Sequence, residues 1–408
     1  MHRKVTLVKI YKRTALIITL ILIMASMSGC TTFDNFKAAF IDKPQDKEAT
    51  IQIGIYEPMS GAEKSNAEDE IKGIRLAYEQ YPTVNGKLVE LVEADNASDI
   101  YAAETAIKEL LLKDPTVIIG SYGSVYSLVA GDYVEEAKVP AIAATNLNPL
   151  VTKNNDYYFR VCYVDSNQGD ILARYLLEEK NVSAAGVLIP ENDDAALALA
   201  TSFTDRMKAE TNNDDAIEVY EEYKPGSEDF TEQLEIIQDS GIDNVLLAGD
   251  INDSVKIAEQ ARDMGLDTVF LGSTDWTTDE FKELAGDGKD VGTIDNVEFV
   301  SFFAAEEADN KEAEKFLKAY QEKYGESTPS DAAALGYDAY VIAINAIDKA
   351  SDDATSEEVR EVLAGQAKFE GASGLITFNG MGDPIKSAYI SVWQNGSIET
   401  ISTINPTL

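Results

Sequence analysis

Histidine is almost missing from this chain. Its single histidine is His2, inside a leader-like N-terminal stretch, so the domain that follows has none. That removes Ser-His-Asp and Cys-His nucleophile arrangements and histidine-containing zinc sites from consideration. Cysteine is scarce too, with only Cys30 and Cys162, so no disulfide framework is available. No Gly-x-x-x-x-Gly-Lys-Ser/Thr loop, Gly-x-Gly-x-x-Gly or Gly-x-Ser-x-Gly occurs, and no cofactor or metal-ligand pattern is read. Basic residues are few, 34 against 72 acidic ones, for a formal net charge of -38. A chain so negative repels phosphate backbones, which excludes nucleic acid as a main partner. Catalysis by carboxylates alone stays formally open. Seventy-two acids make chance pairs inevitable, however, and solvated surface carboxylates are their ordinary role. A hydrophobic content of 45% with 26% charged residues is that of a globular chain, long enough for two lobes.

The N-terminus reads as a secretion signal: Arg3, Lys4, Lys9, Lys12 and Arg13, then an apolar run from Ala15 to Met24, then small residues up to Met27-Ser28-Gly29-Cys30. The run is short for a membrane span, which needs ~20 residues, although an uncleaved anchor is the alternative. Met27-Ser28-Gly29-Cys30 resembles the lipobox of bacterial lipoproteins, with Met27 where the family usually has Leu. The resemblance implies cleavage after residue 29 and lipid on Cys30, placing the protein at the outer face of the cell membrane. All five basic residues of that leader would be lost with no acid, taking the mature charge to -43. Cys162 would then be a lone thiol, and its apolar surroundings, Tyr157 to Tyr163, point to a buried structural role. Residues 30–49 read as a flexible tether, and a coil of about 20 residues reaches ~25 Å.

From residue 50 onward, short apolar runs alternate with helical patterns, the signature of mostly parallel sheets with crossover helices. Strands are expected at Ile51–Tyr56, Leu88–Glu93, Val117–Gly120 and Ala141–Ala144, then at Ala185–Ile189, Ile217–Tyr220, Val245–Ala248 and Val269–Gly272. Helices are expected over 67–81, 99–113, 124–137, 166–180, 195–211, 228–240, 252–264 and 309–324, with a long buried helix from Ser330, its N-cap, to Lys349. Two such series imply an α/β chain of two Rossmann-like lobes. No short repeat is present.

Ordered along this chain are Ile51-Gln-Ile-Gly-Ile-Tyr-Glu-Pro58-Met-Ser-Gly61, Ile71-Lys-Gly73, Ile118-Ile-Gly120-Ser-Tyr-Gly-Ser124, Val139-Pro140-Ala-Ile-Ala-Ala-Thr145, Tyr158-Phe-Arg160, Gln168-Gly169, Leu335-Gly-Tyr337-Asp338-Ala339 and Gly382-Asp383-Pro384. In this order they resemble the solute-binding proteins of ABC importers with the type I periplasmic-binding fold, specifically the leucine/isoleucine/valine branch. That resemblance implies lobe 1 at 50–160 and 300–372, lobe 2 at 161–299 and 373–408, a three-strand hinge between them, and a ligand in the cleft at the carboxyl ends of the strands. An ABC permease would be the partner, and a signalling receptor the alternative.

By the same resemblance, Ser124 and Thr145 match positions that hold the ligand's α-carboxylate, the Ala143 carbonyl one that accepts from its ammonium, and Asn66 a loop position that is often aromatic. Independently, Ser124 opens a helical pattern whose free N–H groups suit an anion, although capping alone is its other reading. Lobe 2 departs from the family. Asp194 stands where an aromatic residue is usual, Asp250 where a Tyr is usual, and Thr274 where an acid is expected, with Asp275 next to it. Asp194 and Asp250 either cap helices or face the cleft. These substitutions favour a polar or amine-bearing ligand over a purely aliphatic one.

Overall fold

The computed structural model describes residues 50–285, 296–307, 310–325, 328–365, 367–394 and 397–406. The leader, Cys30 and the tether lie outside them. Residues Ile51–Leu408 form one compact unit, and among the described residues no helix is long and apolar enough to cross a membrane.

The chain opens with β1 (Ile51–Glu57), α1 (Lys64–Gln80), β2 (Thr83–Val84), β3 (Lys87–Asp95), α2 (Ile100–Leu111), β4 (Val117–Gly120), α3 (Ser124–Ala137), β5 (Ala141–Ala143) and β6 (Tyr158–Arg160). These strands build one sheet in the order β2-β3-β1-β4-β5-β6, parallel apart from the short β2. The central strands are continuous apolar runs because helices cover both faces. Next come α4 (Asp165–Arg174), β7 (Ala185–Pro190), α5 (Asp194–Thr211), β8 (Ile217–Tyr223), α6 (Thr231–Ser240), β9 (Asn244–Leu247), α7 (Ile251–Asp263), β10 (Val269–Gly272), α8 (Asp279–Ala285) and β11 (Val297–Ser301). With β15 (Ala388–Gln394) and β16 (Ser397–Ile404) they form a second sheet, β16-β15-β11-β10-β9-β7-β8. Between them run α9 (Lys311–Tyr324), α10 (Asp331–Ala350), α11 (Ser356–Ala364) and a small sheet of β12 (Phe369–Gly371), β13 (Gly374–Phe378) and β14 (Pro384–Ile385).

In both sheets the first strand lies inside the order, with its successors on opposite sides: β1 between β3 and β4, β7 between β8 and β9. Strand order therefore reverses at β1 and at β7, and such switch points open a crevice at the carboxyl ends of the strands.

Several element limits differ from expectation. The first helix begins at Lys64 rather than 67, which puts Asn66 in its first turn instead of a loop. The strand expected to reach Ala144 stops at Ala143. The helix expected from 228 begins at Thr231, where Asp229 holds the Thr231 N–H at 3.0 Å after the Pro225-Gly226 turn. The helix expected over 166–180 ends at Arg174 and continues as a π-helical turn, Tyr175–Glu179. The long helix is capped as expected, the Ser330 side chain accepting from the Ala333 N–H. The helix Ser356–Ala364 was not anticipated, although Thr355 and Glu358 form a capping box ahead of it.

Helices α1 and α10 meet at backbone distance. A Cβ on Gly73 would lie 1.9 Å from the Ala333 carbonyl oxygen, and one on Gly336 would lie 2.2 Å from that of Glu70. Only glycine permits this approach. Replacing Gly73 with Ala should separate the helices and lower stability by about 1–3 kcal/mol in chemical denaturation.

Candidate ligand cleft

At the β1 and β4 ends of the first sheet the loops are fixed from below. Gly120 takes a φ of +117°, and a Cβ there would fall 2.1 Å from the Tyr56 carbonyl oxygen and 2.5 Å from Glu57 Oε1. Ser121 next to it is fully buried; its N–H donates to Ser127 Oγ at 3.0 Å, and its carbonyl accepts from Asn146 Nδ2 at 2.7 Å. Arg160 is also fully buried, and its guanidinium donates to the carbonyls of Asn146 at 2.9 Å and Asn148 at 2.8 Å and lies 2.8 Å from Asp383. Every lone pair it satisfies belongs to the loop after β5 or that loop's partner, so one buried cation sets this wall of the crevice.

Ser124 is the first residue of α3, with Gly123 in the capping position and no side-chain cap bond. Its Oγ accepts the Asn148 N–H at 3.3 Å, linking the loops after β4 and β5, so it is not an N-cap. Thr145, half-buried, donates its hydroxyl to Glu70 Oε2 at 2.5 Å. In this arrangement the hydroxyl proton is committed to Glu70, which leaves the Thr145 oxygen free to accept from a ligand. The buried Ala143 carbonyl already accepts the Val161 N–H at 3.0 Å in the β5–β6 ladder, leaving a ligand only its second lone pair. Asn66 is exposed and its amide donates to Glu63 Oε2 at 2.9 Å.

On the second sheet, Asp250 caps α7 by accepting the Asn252 N–H at 2.9 Å. Asp194 does not cap: Asp193 does, accepting from the N–H groups of Ala195 and Ala196, and Asp194 is exposed in the first turn. Thr274 is buried, and its N–H donates to Gln168 Oε1 at 2.9 Å. Asp275 is exposed by surface area, although protein atoms crowd around it. Lost hydration pushes its carboxyl up, opposed by the Ser273 hydroxyl and reinforced by Asp250 and Asp193. Asp165, at the start of α4, is pushed up to about 7, first by burial and then by Asp275 and Asp193, with Arg160 opposing. Asp165, Asp193, Asp250 and Asp275 thus share one field, three of them at helix N-termini whose dipoles favour negative charge.

The decisive link between the sheets is Tyr122, in the loop after β4. Its phenol is raised to about 12 by burial, then by Glu70 and Glu63 from the first-sheet side and by Asp275 and Glu280 from the second. Carboxylates from the loops of both sheets thus lie near enough to act on the Tyr122 phenol. A separate hollow of about 440 Å³ between β3 and α2 includes none of these residues.

Four groups at this crevice were not anticipated as site residues. Glu57 and Glu70 are both fully buried at the β1 end and on α1. Gln168 is fully buried with Nε2 unpartnered among the described residues. Asp165 opens α4. The signals were present in part: Glu57 ends a strand that is apolar apart from Gln52, and Glu70 falls with Ala67, Ile74 and Ala77 on the buried stripe of α1.

Two wound sheets meeting through their carboxyl-end loops form the frame of a known group, and residues 50–397 match the model of the periplasmic binding protein family. The chain belongs to that family. Among solved structures, a leucine-binding protein from Thermotoga maritima is 30% identical with a TM-score of 0.72, the match covering 87% of this chain and 99% of that one. A branched-chain amino acid transporter substrate-binding protein from Streptococcus pneumoniae, in complex with isoleucine, is 29% identical with a TM-score of 0.72, covering 88% and 100%. A Leu/Ile/Val-binding protein homolog from Brucella abortus is 23% identical over 354 residues, 85% of this chain and 91% of its own. As a periplasmic binding protein the chain is a solute binder rather than an enzyme, consistent with its lack of a nucleophile motif.

Proposed function

We propose that this chain is the extracytoplasmic solute-binding component of an ABC importer, capturing an amino acid or related small polar ligand between two lobes and presenting it to the permease. The observation that carries this reading is the placement of Tyr122, under the influence of carboxylates from both sheets at once. A ligand held there contacts both halves, and binding energy shared between lobes is what favours a closed arrangement. The lobes are taken as 50–160 with 300–372 and 161–299 with 373–408. The N-terminal leader and Cys30 support a lipid-anchored form at the outer membrane face.

Ser124 retains its hydroxyl proton for a ligand's carboxylate, at the start of a 14-residue helix whose N-terminus favours an anion. The shared field of Asp165, Asp193, Asp250 and Asp275 suits an ammonium or a polar amine. The ligands named for the relatives, leucine and isoleucine, carry both groups, and the acidic second wall extends the choice to amine-bearing side chains. Ser124→Ala should weaken binding by about 1–3 kcal/mol with folding intact. Calorimetry on ligands found by a thermal-shift panel of amino acids and amines checks this. Unchanged affinity removes Ser124 from the site, and tight binding of leucine or valine with none of ornithine or lysine returns the pocket to the aliphatic class.

A further inference from the structure

Glu57 and Glu70 occupy an unusual position for two carboxyl groups. Both side chains are fully buried. Each has one oxygen satisfied from a cleft loop: Glu57 Oε2 accepts the Tyr122 N–H at 2.7 Å, and Glu70 Oε2 accepts the Thr145 hydroxyl at 2.5 Å. Each has its other oxygen, Oε1, without a donor among the described residues. The two side chains lie within hydrogen-bond reach of each other. Ionised carboxylates only accept, so two buried carboxyls in hydrogen-bond contact, each with one oxygen lacking a donor, are matched by one proton shared between them. Like-charged carboxyls in contact share one proton for the same reason.

The surroundings leave that proton with the pair. No lysine or arginine acts on either carboxyl among the described residues. The titratable groups facing them are phenols and a thiol: Tyr56 on β1, Tyr122 after β4, Tyr158 on β6 and Cys162 beyond it. Burial raises all four, Tyr122 and Cys162 to about 12, so all stay neutral near pH 7. From α10 the approach to Glu70 is backbone, at Gly336, and Asp338 on that helix is bound instead to Ser373. Glu70, raised to about 7 by burial, titrates in the neutral range, and Glu57 is raised by burial and by Glu70.

We propose that Glu57 and Glu70 hold one proton between them in the ligand-free protein and release it to solvent when a ligand's ammonium docks against Thr145, so that solute capture is proton-linked. This rests on the reading of the chain as a binder of an amine-bearing ligand. Thr145 supplies the connection. Its proton is committed to Glu70, so it accepts from the ligand, and an ammonium there stands one hydroxyl from the pair. A cation within about 6 Å favours the ionised form of a carboxyl. By reciprocity, whatever drives the proton out also tightens ligand binding.

The test is titration calorimetry of the full chain with leucine and with ornithine, near pH 7, in buffers of different ionisation enthalpy. Proton release of at most one per ligand, largest near pH 6 and about half of that at pH 7, with affinity rising up to about tenfold per pH unit between pH 6 and 7, is expected. Binding without proton exchange and with flat affinity from pH 6 to 8 overturns the proposal while leaving the binding function standing. Failure of both ligands to bind at any pH overturns the binding reading and this proposal with it. Glu57→Gln should reduce proton release, because its amide offers Glu70 an N–H in place of the shared proton, and a folded variant that releases as much as the natural protein removes the pair from the explanation. Should that variant not fold, infrared spectra of the natural protein decide. A carboxylic-acid band present without ligand and lost on binding supports the proposal, and its absence without ligand overturns it.

Discussion

Lys386→Met is expected to lose about 3–5 kcal/mol of folding stability, the range for leaving a buried charge without its counter-charge. Lys386 is 1% exposed. Its Nζ donates to Ser373 Oγ and, at 3.3 Å, to the Phe302 carbonyl. Ser373 passes its own hydroxyl proton to the fully buried Asp338, which also accepts the N–H groups of Ala372 and Ser373. Asp331 accepts the Phe302 N–H at 2.5 Å, and the Tyr163 hydroxyl is bonded to the Lys386 backbone. The Lys386 ammonium therefore joins Phe302 and Ser373 while its backbone joins Tyr163, tying together the segments after β6, after β11 and between β12 and β13. Burial lowers the lysine's affinity for its proton, while Asp338 and Asp331 restore it. Burial likewise lifts both carboxyls to about 6, against the pull of Lys386. Methionine fills the volume but leaves Asp338 uncompensated, so the thermal midpoint should fall by roughly 5–10 °C. The deficit should shrink at pH 5, where Asp338 takes up a proton. A double variant with Asp338→Asn should recover part of the loss, because the two changes meet in one network. A deficit below about 1 kcal/mol, the same at pH 5 and pH 8, would show that the ion does not hold these stretches together.

Legibility in the sequence followed how far each signal acts along the chain. Runs such as Val117–Gly120 and Val269–Gly272 specify their strands locally, since buried parallel strands need unbroken apolar residues, and both fall where expected. The strands β12 to β14 are short, β15 and β16 longer but partly polar, and all are defined by antiparallel partners, so no local period announces them. At the cleft, sequence pattern finds the loops but not the proton positions within them. Thr145 follows β5, yet its role depends on Glu70, which is 75 residues away. The Glu57–Glu70 pair is harder still to foresee: with 72 acids in the chain, nothing local separates these two from solvated surface carboxylates. Only the convergence of β1 and α1 under the cleft loops does so.

That convergence carries an energetic cost that Glu70→Gln should remove. A carboxyl whose affinity for its proton is higher in the folded chain stabilises the fold at low pH, and the contribution is lost as pH rises through its folded value. Glu70 goes from about 4.5 unfolded to about 7 folded. The ligand-free protein should therefore lose on the order of 3 kcal/mol from this group between about pH 4.5 and pH 8. Glutamine keeps an acceptor for the Thr145 hydroxyl and offers Glu57 an N–H in place of the shared proton, so both facing oxygens find donors without protonation. The variant should match the natural protein near pH 5 and exceed it at pH 8, measured as the midpoint of urea unfolding without ligand. Its slope with pH should be reduced rather than abolished, because Asp165, raised to about 7, and Asp331 and Asp338, both raised to about 6, act in the same direction. A Glu70→Gln protein that is less stable at pH 8 than the natural chain would mean that the carboxylate is compensated where it lies. Greater stability at pH 8 with weaker capture of ornithine or leucine would place this pair among the sites where a fold keeps destabilising charge for the sake of its ligand.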